Sequence, residues 1–487
     1  MASDQGLLIA GEQQESSTGE TYDDVNPYTG EAIATVAAAS PDDATRAVDA
    51  AAEAFKAWSQ ASPADRRAVF LRAAQLVRER TSDVIATMTP ETGATFGWGM
   101  FMVHLAEGMF LEAAAAAMAP IGEVNATNDP GALSLTIRRP AGVVAAFSPW
   151  NAPTYLSARA VGIPLAVGNT VVLKVTEEAP ISAGFFVAEL LRDAGLPAGA
   201  LNVITTPPAN AEAVSRTLIG DPRVRRVNFT GSTRVGRKIS EMAGNSMKRV
   251  VLELGGKNSL IVLADADLDY AVSAAAFSSW INGGQVCMSG DRIIVSSEIA
   301  EEFAERLAQR AEGLRTGDPA DPQTVIGPLI SASAARRVAG MVDEAVKAGA
   351  KVRSGGGEPD GAVYRPTVLT SVSPSMRISN DEIFGPVCTI HPFDTPAEAV
   401  AIANDTTYGL SAAVISEDIP LAMKIAGEID TGLVHINGPT VDDEPMAAFG
   451  GVGDSGFGRF GGQDALREFT EPRWVKQWDR SQRQFPI

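Results

Sequence analysis

The stretch RRVNFTGSTRVGRKISEMAGNSMKRVVLELGG, residues 225–256, decides the fold. RRVNF (225–229) has the β-branched content of a strand, Gly231 and Ser232 then open a helix, and RVVLEL (249–254) is a second strand-like run. A strand, a helix and a second buried strand predict a βαβ unit with parallel strands. Because such sheets bind ligands at the carboxyl ends of their strands, the ends of both runs are expected to face a ligand.

The same alternation extends to both sides of this stretch. Further buried strands are predicted in GVVAAF (142–147), NTVVLK (169–174), LNVIT (201–205) and SLIVL (259–263). Helical spacing is found between them, in PISAGFFVAELLRDAG (180–195) and ANAEAVSRTLIG (209–220). Residues 142–263 are therefore predicted to form a doubly wound, Rossmann-like parallel sheet.

A second α/β region is predicted after residue 287. Its strands are DRIIVSS (291–297) and LSAAVIS (410–416), and its helices are EIAEEFAERLAQRAEGL (298–314) and ARRVAGMVDEAVKAGA (335–350). FTEPRWVKQW (469–478) is strand-like but has no obvious local partner. A terminal strand of this kind often pairs with another subunit, so an oligomer is expected.

Composition excludes several classes of function. The 487 residues are too many for one compact core, and the formal net charge of -19 repels phosphate backbones, so nucleic-acid binding is not expected. No apolar run is long enough to predict a membrane span, and the first residues, MASDQGLLIAGEQQESS, are not expected to be a secretory signal. The chain holds only two cysteines and three histidines, so neither a disulfide framework nor a metal site is expected, and the location is predicted to be cytoplasmic.

Cys287, in NGGQVCMSG, is the candidate nucleophile. A lone cysteine is more often a small buried packing residue, but Gly283, Gly284 and Gly290 around it are expected to admit a ligand. The segment is also expected to lie at a transition from strand to helix, where backbone N–H groups can face an anion. A thiolate is the strongest ordinary side-chain nucleophile near neutral pH.

Two polar residues are candidates to assist the thiol. Glu253 ends an apolar run before a glycine pair, where a carboxylate can act as a general base, although a capping or salt-bridging role is equally compatible with its position. Asn151, in FSPWNAP, can donate an N–H to a developing oxyanion, but alone this segment indicates only a turn after a strand.

Two further segments are candidates for holding a dinucleotide. In FTGSTRVG (229–236) the helix start can bind a pyrophosphate, although helix starts with Gly and Ser are common. In LKVTEEAP (173–180), Lys174 and Glu177 can both reach ribose hydroxyls, or can be a solvated surface pair.

The joint order of these motifs is far more specific than any one of them. FSPWN, LKxxE, FTGSTxxG, ELGGKN, GGQVC, EIFGPV and FGGVGDSGFGR follow one another in this chain as they do in the aldehyde dehydrogenase superfamily, which the sequence resembles from NPYTGE (26–31) to its tail. The resemblance implies NAD(P)-dependent oxidation of an aldehyde to a carboxylic acid through a cysteine thioester.

The resemblance also implies a role for each matching residue. Cys287 corresponds to the nucleophile, Glu253 to the general base, and Asn151 with the Cys287 backbone N–H to the oxyanion hole. The positions that correspond to cofactor contacts are Trp150, Lys174, Glu177, Gly231, Ser232, Glu382 and Phe384. NAD is the expected cofactor because Glu177 would repel a 2′-phosphate, with NADP as the alternative because Arg234 stands where the family commonly has Glu.

Finer details resemble the bacterial dehydrogenases of benzaldehyde, vanillin and salicylaldehyde. The segments that carry this likeness are RAVGIPLAVGNTVVLK (159–174), GSTRVGR (231–237), INGPTVDDEP (436–445) and GRFGG (458–462). The implied substrate positions are Ala152, Tyr155, Leu156, Arg159, Val286, Met288 and Phe449. Tyr155 and Phe449 are expected to stack on a ring, and Arg159 either binds a ring substituent or forms a structural salt bridge.

The resemblance divides the chain into three parts. A dinucleotide-binding domain is expected in residues 1–118 and 141–253, a catalytic domain in 254–469, and an oligomerisation arm in 119–140 and 470–487, with a homodimer or homotetramer as the assembly. Other functions remain open: an aliphatic, semialdehyde or CoA-acylating dehydrogenase, a cysteine hydrolase, or a catalytically silent structural protein. The sequence offers no physical explanation for the replacement of the family's usual FGGVK by FGGVGDSG (449–456).

Overall fold

The computed structural model describes residues 3–481, 485 and 487, and an eight-stranded sheet organises its first half. In spatial order the strands are Gly456–Phe457, Arg249–Glu253, Val224–Thr230, Val143–Ser148, Thr170–Val175, Leu201–Ile204, Leu7–Ile9 and Glu12–Gln14. The five strands from Arg249–Glu253 to Leu201–Ile204 are mutually parallel, and the other three pair antiparallel at the edges. The predicted doubly wound sheet is therefore confirmed, with strand ends within about a residue of the expected ones.

A seven-stranded sheet organises the second half. Its order is Lys351–Ser354, Thr367–Thr370, Val387–Phe393, Arg292–Ser296, Ser259–Val262, Ser411–Ile415 and Leu433–Ile436. The prediction that the run 259–263 belongs to the first sheet was wrong, because this strand pairs in parallel with Arg292–Ser296 and Ser411–Ile415. Apolar content shows that a strand is buried but not which sheet it joins.

Helices cover the faces of both sheets. They are Pro41–Trp58, Pro63–Glu79, Thr81–Thr92, Phe96–Ala116, Pro153–Ala166, Phe186–Asp193, Pro208–Gly220, Thr233–Asn245, Leu268–Trp280, Ala300–Glu312, Ala332–Lys347, Arg377–Asn380, Pro396–Asn404, Ile419–Ala426 and Gly462–Glu468. Local sequence explains many of their ends: Pro41–Trp58, for example, begins at a capping box in which Ser40 and Asp43 satisfy each other's backbone N–H groups.

The helix Pro153–Ala166 is central to the molecule. Every one of its residues is buried, and it packs against the helix Phe96–Ala116 and the strand Val143–Ser148. Because residues three and four positions apart share a helix face, Tyr155 and Arg159 point the same way from it.

The carboxyl-terminal strand Thr470–Gln477 pairs antiparallel with Leu133–Pro140, which also pairs with Gly122–Asn125. The strand has no local partner: the strand it pairs with lies more than 300 residues earlier, in the segment 119–140 that was expected to form an arm with residues 470–487. The small sheet exposes apolar side chains, among them Val124, Leu133, Trp474 and Val475. Residues 482–484 and 486 of the expected arm, and residues 1–2 of the expected first domain, lie outside the described residues.

Two further small sheets contain the remaining strands. Ser3–Gln5, Ala32–Ala37 and Thr21–Val25 form a three-stranded sheet, and Tyr408–Gly409 pairs with Val452–Gly453. Across the described part of the chain, no helix is both long enough and apolar enough to span a bilayer.

Candidate active site

One cavity, here called the thiol cavity, brings together residues that are up to 351 positions apart in sequence. All seven expected substrate positions line it, together with Asn151 and Cys287: Ala152, Tyr155, Leu156, Arg159, Val286, Met288 and Phe449. The rest of its wall is supplied by Trp98, Phe101, Met102, Leu105, Val441, Asp442 and Asp443. The lining is predominantly apolar and aromatic, as in sites that bind small organic molecules.

Cys287 reaches this cavity from a loop. The loop follows the helix Leu268–Trp280 and the short 3-10 turn Ile281–Gly284, and it precedes the strand Arg292–Ser296. The expected transition from strand to helix was therefore wrong, and the thiol does not lie at the start of a helix.

Gly284, the last residue of the 3-10 turn before this loop, is needed for packing within the protein. Gly284 has φ +71°, and a Cβ there would lie 2.1 Å from the carbonyl oxygen of Gly385. Such a contact excludes any side chain, so the loop requires glycine because of Gly385 and not because a ligand approaches. The expectation that Gly284 admits a ligand was wrong at this position.

Asn258 holds the nucleophile's loop in place. Its Nδ2 donates to the carbonyl oxygens of Cys287 (2.8 Å) and Ser289 (3.0 Å), and its Oδ1 accepts from the backbone N–H of Ser411 (2.9 Å). Every polar atom of this buried side chain is thus engaged, which ties the cysteine loop to the second sheet.

Asn151 ties the other side of the cavity to the same loop. It follows the strand Val143–Ser148, and its Nδ2 donates to the carbonyl oxygen of Gln285 (2.9 Å). Its own carbonyl oxygen accepts from Trp98 Nε1 and Asn282 Nδ2, both at 3.0 Å. An amide carries two N–H donors, so the Asn151 side chain retains one that can serve a ligand oxygen.

Glu253 is a buried carboxyl group without a partner. It ends the strand Arg249–Glu253 as expected, is 2% exposed, and neither of its side-chain oxygens has a hydrogen-bond partner among the described residues. Burial raises its pKa to about 8, against the lowering effect of Arg159 and Arg459. The capping or salt-bridging alternative is excluded for the described chain, and a carboxyl group with this pKa suits a general base near neutral pH.

The Cys287 thiol is protonated at rest. Burial raises its pKa to about 12, and the charge of Arg159 works in the opposite direction. A thiol in this state must lose its proton before it can attack, and a nearby cation favours that loss. Cys388 has a pKa of about 12 for the same reason of burial, but it is 0% exposed within the core of the second sheet and is a packing residue, as expected.

Arg159 is engaged on two sides. Its Nη1 lies 3.4 Å from Asp443 Oδ2, and its guanidinium carbon lies 4.4 Å from the centre of the Phe449 ring. The Tyr155 hydroxyl donates to the same Asp443 oxygen. The salt-bridge alternative for Arg159 is therefore what the structure shows, and the guanidinium occupies a face of Phe449 that was expected to stack on a substrate ring.

A second, more open depression, here called the strand-end cleft, lies at the carboxyl ends of the first sheet. It is lined by five of the expected cofactor positions, Trp150, Lys174, Glu177, Gly231 and Ser232, and also by Glu178, Glu212, Arg234 and Lys238. Lys174 Nζ lies 3.9 Å from Glu177 Oε2, so this pair faces the cleft and not the outer surface.

The helix Thr233–Asn245 points its first turn into the strand-end cleft. Ser232 is its N-cap and accepts from the Val235 N–H at 3.4 Å. The remaining N–H groups of the first turn suit a phosphate. A Cβ at Gly231 would lie 2.6 Å from the Phe229 ring, so glycine is required here by Phe229.

The last two expected cofactor positions lie beyond the strand-end cleft. Phe384 meets Trp150 edge to face, with ring centres 5.6 Å apart. Glu382 accepts from the Gly256 N–H (3.2 Å), and burial raises its pKa to about 7. These residues lie where the cleft approaches the thiol cavity, because Gly256 also packs against the Cys287 carbonyl.

Sequence reasoning missed two residues of this site. Asp443 lies in INGPTVDDEP and Asn258 in ELGGKN, and both segments had been singled out as motifs without a role for these two side chains. The signal that could have found them is their polarity inside otherwise buried or glycine-rich segments.

A cleft with a phosphate-binding helix start, near a half-buried thiol and an unpaired carboxyl group, is typical of oxidoreductases that work through a cysteine. The aldehyde dehydrogenase family model matches residues 14–475, and the chain belongs to this family.

Individual relatives indicate which members of the family the chain is similar to. The chain is 47% identical to a vanillin dehydrogenase of a Pseudomonas species over 96% of its own length and 97% of that protein. It matches the crystal structure of a salicylaldehyde dehydrogenase from Pseudomonas putida complexed with salicylaldehyde, with a TM-score of 0.97, 40% identity and 100% coverage of both chains. A betaine aldehyde dehydrogenase from Staphylococcus aureus in complex with NAD+ matches with a TM-score of 0.93 and 34% identity, over 97% of this chain and 94% of that one.

Proposed function

We propose that this protein oxidises aromatic aldehydes to carboxylic acids with NAD, through a thioester on Cys287. The observation that carries the proposal is the thiol cavity, which gathers Cys287 and Asn151 within one apolar, aromatic lining. The likeness to vanillin and salicylaldehyde dehydrogenases supports the aromatic substrate class.

In the first step the Cys287 sulfur attacks the carbonyl carbon of the aldehyde. The thiol proton leaves to solvent, and the positive charge of Arg159 favours the thiolate. The free N–H of Asn151, together with the Cys287 backbone N–H, stabilises the oxyanion that forms.

The tetrahedral adduct then loses hydride and becomes a thioester. When bound, NAD supplies the acceptor for this hydride. In the second step Glu253 takes a proton from water, the resulting hydroxide attacks the thioester carbon, and the C–S bond breaks to release the carboxylic acid and the Cys287 sulfur.

The strand-end cleft fits NAD by the chemistry of its donors. The first turn of the helix Thr233–Asn245 offers N–H groups to phosphate, and Lys174 and Glu177 offer a donor and an acceptor to a ribose diol. Trp150 and Phe384 line the way toward the thiol cavity, and Glu382 is suited to the second ribose. A structurally similar betaine aldehyde dehydrogenase in complex with NAD+ supports the same cofactor here.

We also infer a homo-oligomer in the cytoplasm. The small sheet built from Gly122–Asn125, Leu133–Pro140 and Thr470–Gln477 exposes Val124 and Trp474, apolar side chains that a second subunit would cover. Both cysteines are free thiols, which fits a reducing compartment.

A panel of aldehydes tests the substrate class. Burying a ring in the thiol cavity should contribute about 1–3 kcal/mol more than a two-carbon chain, so kcat/KM for benzaldehyde, vanillin or salicylaldehyde should exceed that for acetaldehyde by about 10- to 100-fold. The measurement is the absorbance of reduced cofactor with each aldehyde. Acetaldehyde or hexanal matching the best aromatic substrate would contradict the aromatic class and leave an aliphatic or semialdehyde dehydrogenase.

A further inference from the structure

Arg159 is a cation buried in the wall of the thiol cavity. It is 2% exposed, and three aromatic rings surround its guanidinium carbon, with their centres at 4.4 Å (Phe449), 5.1 Å (Phe460) and 5.6 Å (Tyr155). Its Nη2 is buried and has no hydrogen-bond partner within the described chain. A buried guanidinium with an unused donor remains available to whichever anion forms beside it.

Four groups that can carry a negative charge surround this cation. Asp443 already holds Nη1 at 3.4 Å and is itself only 4% exposed. Burial lowers the pKa of Arg159, but the surrounding groups more than offset that effect, and its net pKa is raised. Besides Asp443, the groups responsible are Tyr155, Glu253 and Cys287.

We propose that Asp443 is a positioning residue for charge: it occupies Arg159 and thereby limits how strongly this cation favours the ionised forms of Cys287 and Glu253. The inference rests on the proposed function, because it assigns Asp443 a role in tuning the nucleophile and the base of that reaction. Asp443 does not react; it acts through Arg159.

The charged groups around Cys287 determine the expected sign. Arg159 faces it from the helix Pro153–Ala166, Glu253 from a strand end, Glu382 from the segment after Asn380, and Asp443 from the segment after Ile436. Of these, only Arg159 lowers the pKa of the thiol. Removing the negative charge of Asp443 should therefore lower the thiol pKa, and removing Arg159 should raise it.

Alkylation of the thiol by iodoacetamide tests this in the cofactor-free protein. Asp443→Asn keeps the size of the side chain and an acceptor for the Tyr155 hydroxyl, but removes the charge. A loss of one charge beside a buried thiol shifts its pKa by about one unit, which increases the thiolate tenfold while lowering its intrinsic nucleophilicity. We expect Cys287 in Asp443→Asn to react about 3- to 10-fold faster at a fixed pH near 8, with the site of modification read by peptide mass.

The second variant, Arg159→Gln, should change the alkylation rate in the opposite direction, about 3- to 10-fold slower. The control is Glu444→Gln, the same loss of charge on an exposed neighbour of Asp443, for which the rate should stay as in the unchanged protein. Circular dichroism and thermal unfolding establish that each variant is folded. Opposite shifts in the two variants distinguish charge competition from a structural role, which would lower thermal stability without moving the rate in opposite directions.

Unchanged or equally directed rates in folded Asp443→Asn and Arg159→Gln would overturn the inference. The acid limb of kcat/KM is a second readout: it should move about one unit lower in Asp443→Asn, since Glu253 gains the same cation. Failure of the proposed function is a different result, because aldehyde oxidation would then survive the loss of the Cys287 thiol whatever the alkylation rates are.

Discussion

The strand-end cleft and the surroundings of the Cys287 thiol differ in whether their carboxyl groups have partners. In the cleft, the buried Lys174 lies near Glu177 (3.9 Å), and the exposed Lys238 contacts Glu212 (2.7 Å). Glu253, which lies outside the lining of the thiol cavity, is 2% exposed with neither oxygen hydrogen-bonded to any described residue. Leaving a buried polar group unpaired costs about 1–3 kcal/mol, so the fold sacrifices stability at Glu253 that it does not sacrifice at the paired groups of the cleft.

This difference indicates which region binds the cofactor and which region carries out the chemical reaction. Charged groups that line an open cleft can hold a dinucleotide through charge-assisted hydrogen bonds. Buried groups with raised pKa values, such as Glu253 at about 8, are poised to move a proton near neutral pH. Changes in the cavity should therefore affect chemistry, and changes in the cleft should affect cofactor choice.

The largest expected effect comes from the thiol. Cys287→Ala should lower kcat for aldehyde oxidation by at least about 10³-fold, because no other group in the cavity can form the thioester. Cys388→Ala is the matched control: its thiol has the same raised pKa but lies in the core of the second sheet, so activity should persist. Full activity of Cys287→Ala would remove the mechanism.

Glu253→Gln should lower steady-state turnover by about 10²- to 10⁴-fold, since water is no longer activated. In the unchanged protein the carboxylate form is populated as pH rises through about 8, so kcat/KM should rise with pH to a midpoint near that value. Glu382→Gln, which removes a carboxyl group with a pKa of about 7, is the comparison. If the rise of kcat/KM with pH disappears in Glu382→Gln and persists in Glu253→Gln, the base has been assigned to the wrong residue.

The smallest effect is expected in the cleft. The unchanged protein should prefer NAD, and Glu177→Gln should reduce that preference by about 10-fold, because the carboxylate no longer repels a 2′-phosphate. Lys174 and Arg234 favour some use of NADP throughout. The ratio of kcat/KM for the two cofactors is the measurement, and Glu178→Gln is the control. A larger change in Glu178→Gln, or a native preference for NADP, would contradict the role of Glu177.

Much of this architecture could be predicted from the sequence. The central strands of the first sheet follow from β-branched runs such as Thr170–Val175, whose burial on both faces leaves a continuous apolar signature. Cys287, Asn151 and the substrate positions could be named because the motifs carry them, and the structure brings them to one cavity. The sequence motifs alone were therefore enough to identify these residues.

What could not be predicted depends on contacts between distant segments. The pairing of Thr470–Gln477 with Leu133–Pro140 and the place of Ser259–Val262 in the second sheet are decided by which edge is available, and local pattern does not encode that. Only the family resemblance grouped residues 119–140 with 470–487 and placed the run 259–263 within 254–469. The contact between Asp443 and Tyr155 joins residues 288 positions apart. The glycine at position 284 was attributed to a ligand, whereas Gly385 of the chain itself occupies that space.

The central claim is that an acyl group is carried on Cys287, and intact-protein mass measures it directly. Glu253→Gln mixed with NAD and benzaldehyde should gain the mass of a benzoyl group in place of a proton, because the thioester forms and its hydrolysis is slow. Peptide mapping should place that group on Cys287, and hydroxylamine should remove it. An unmodified Cys287 under conditions in which the same sample produces reduced cofactor would contradict the account.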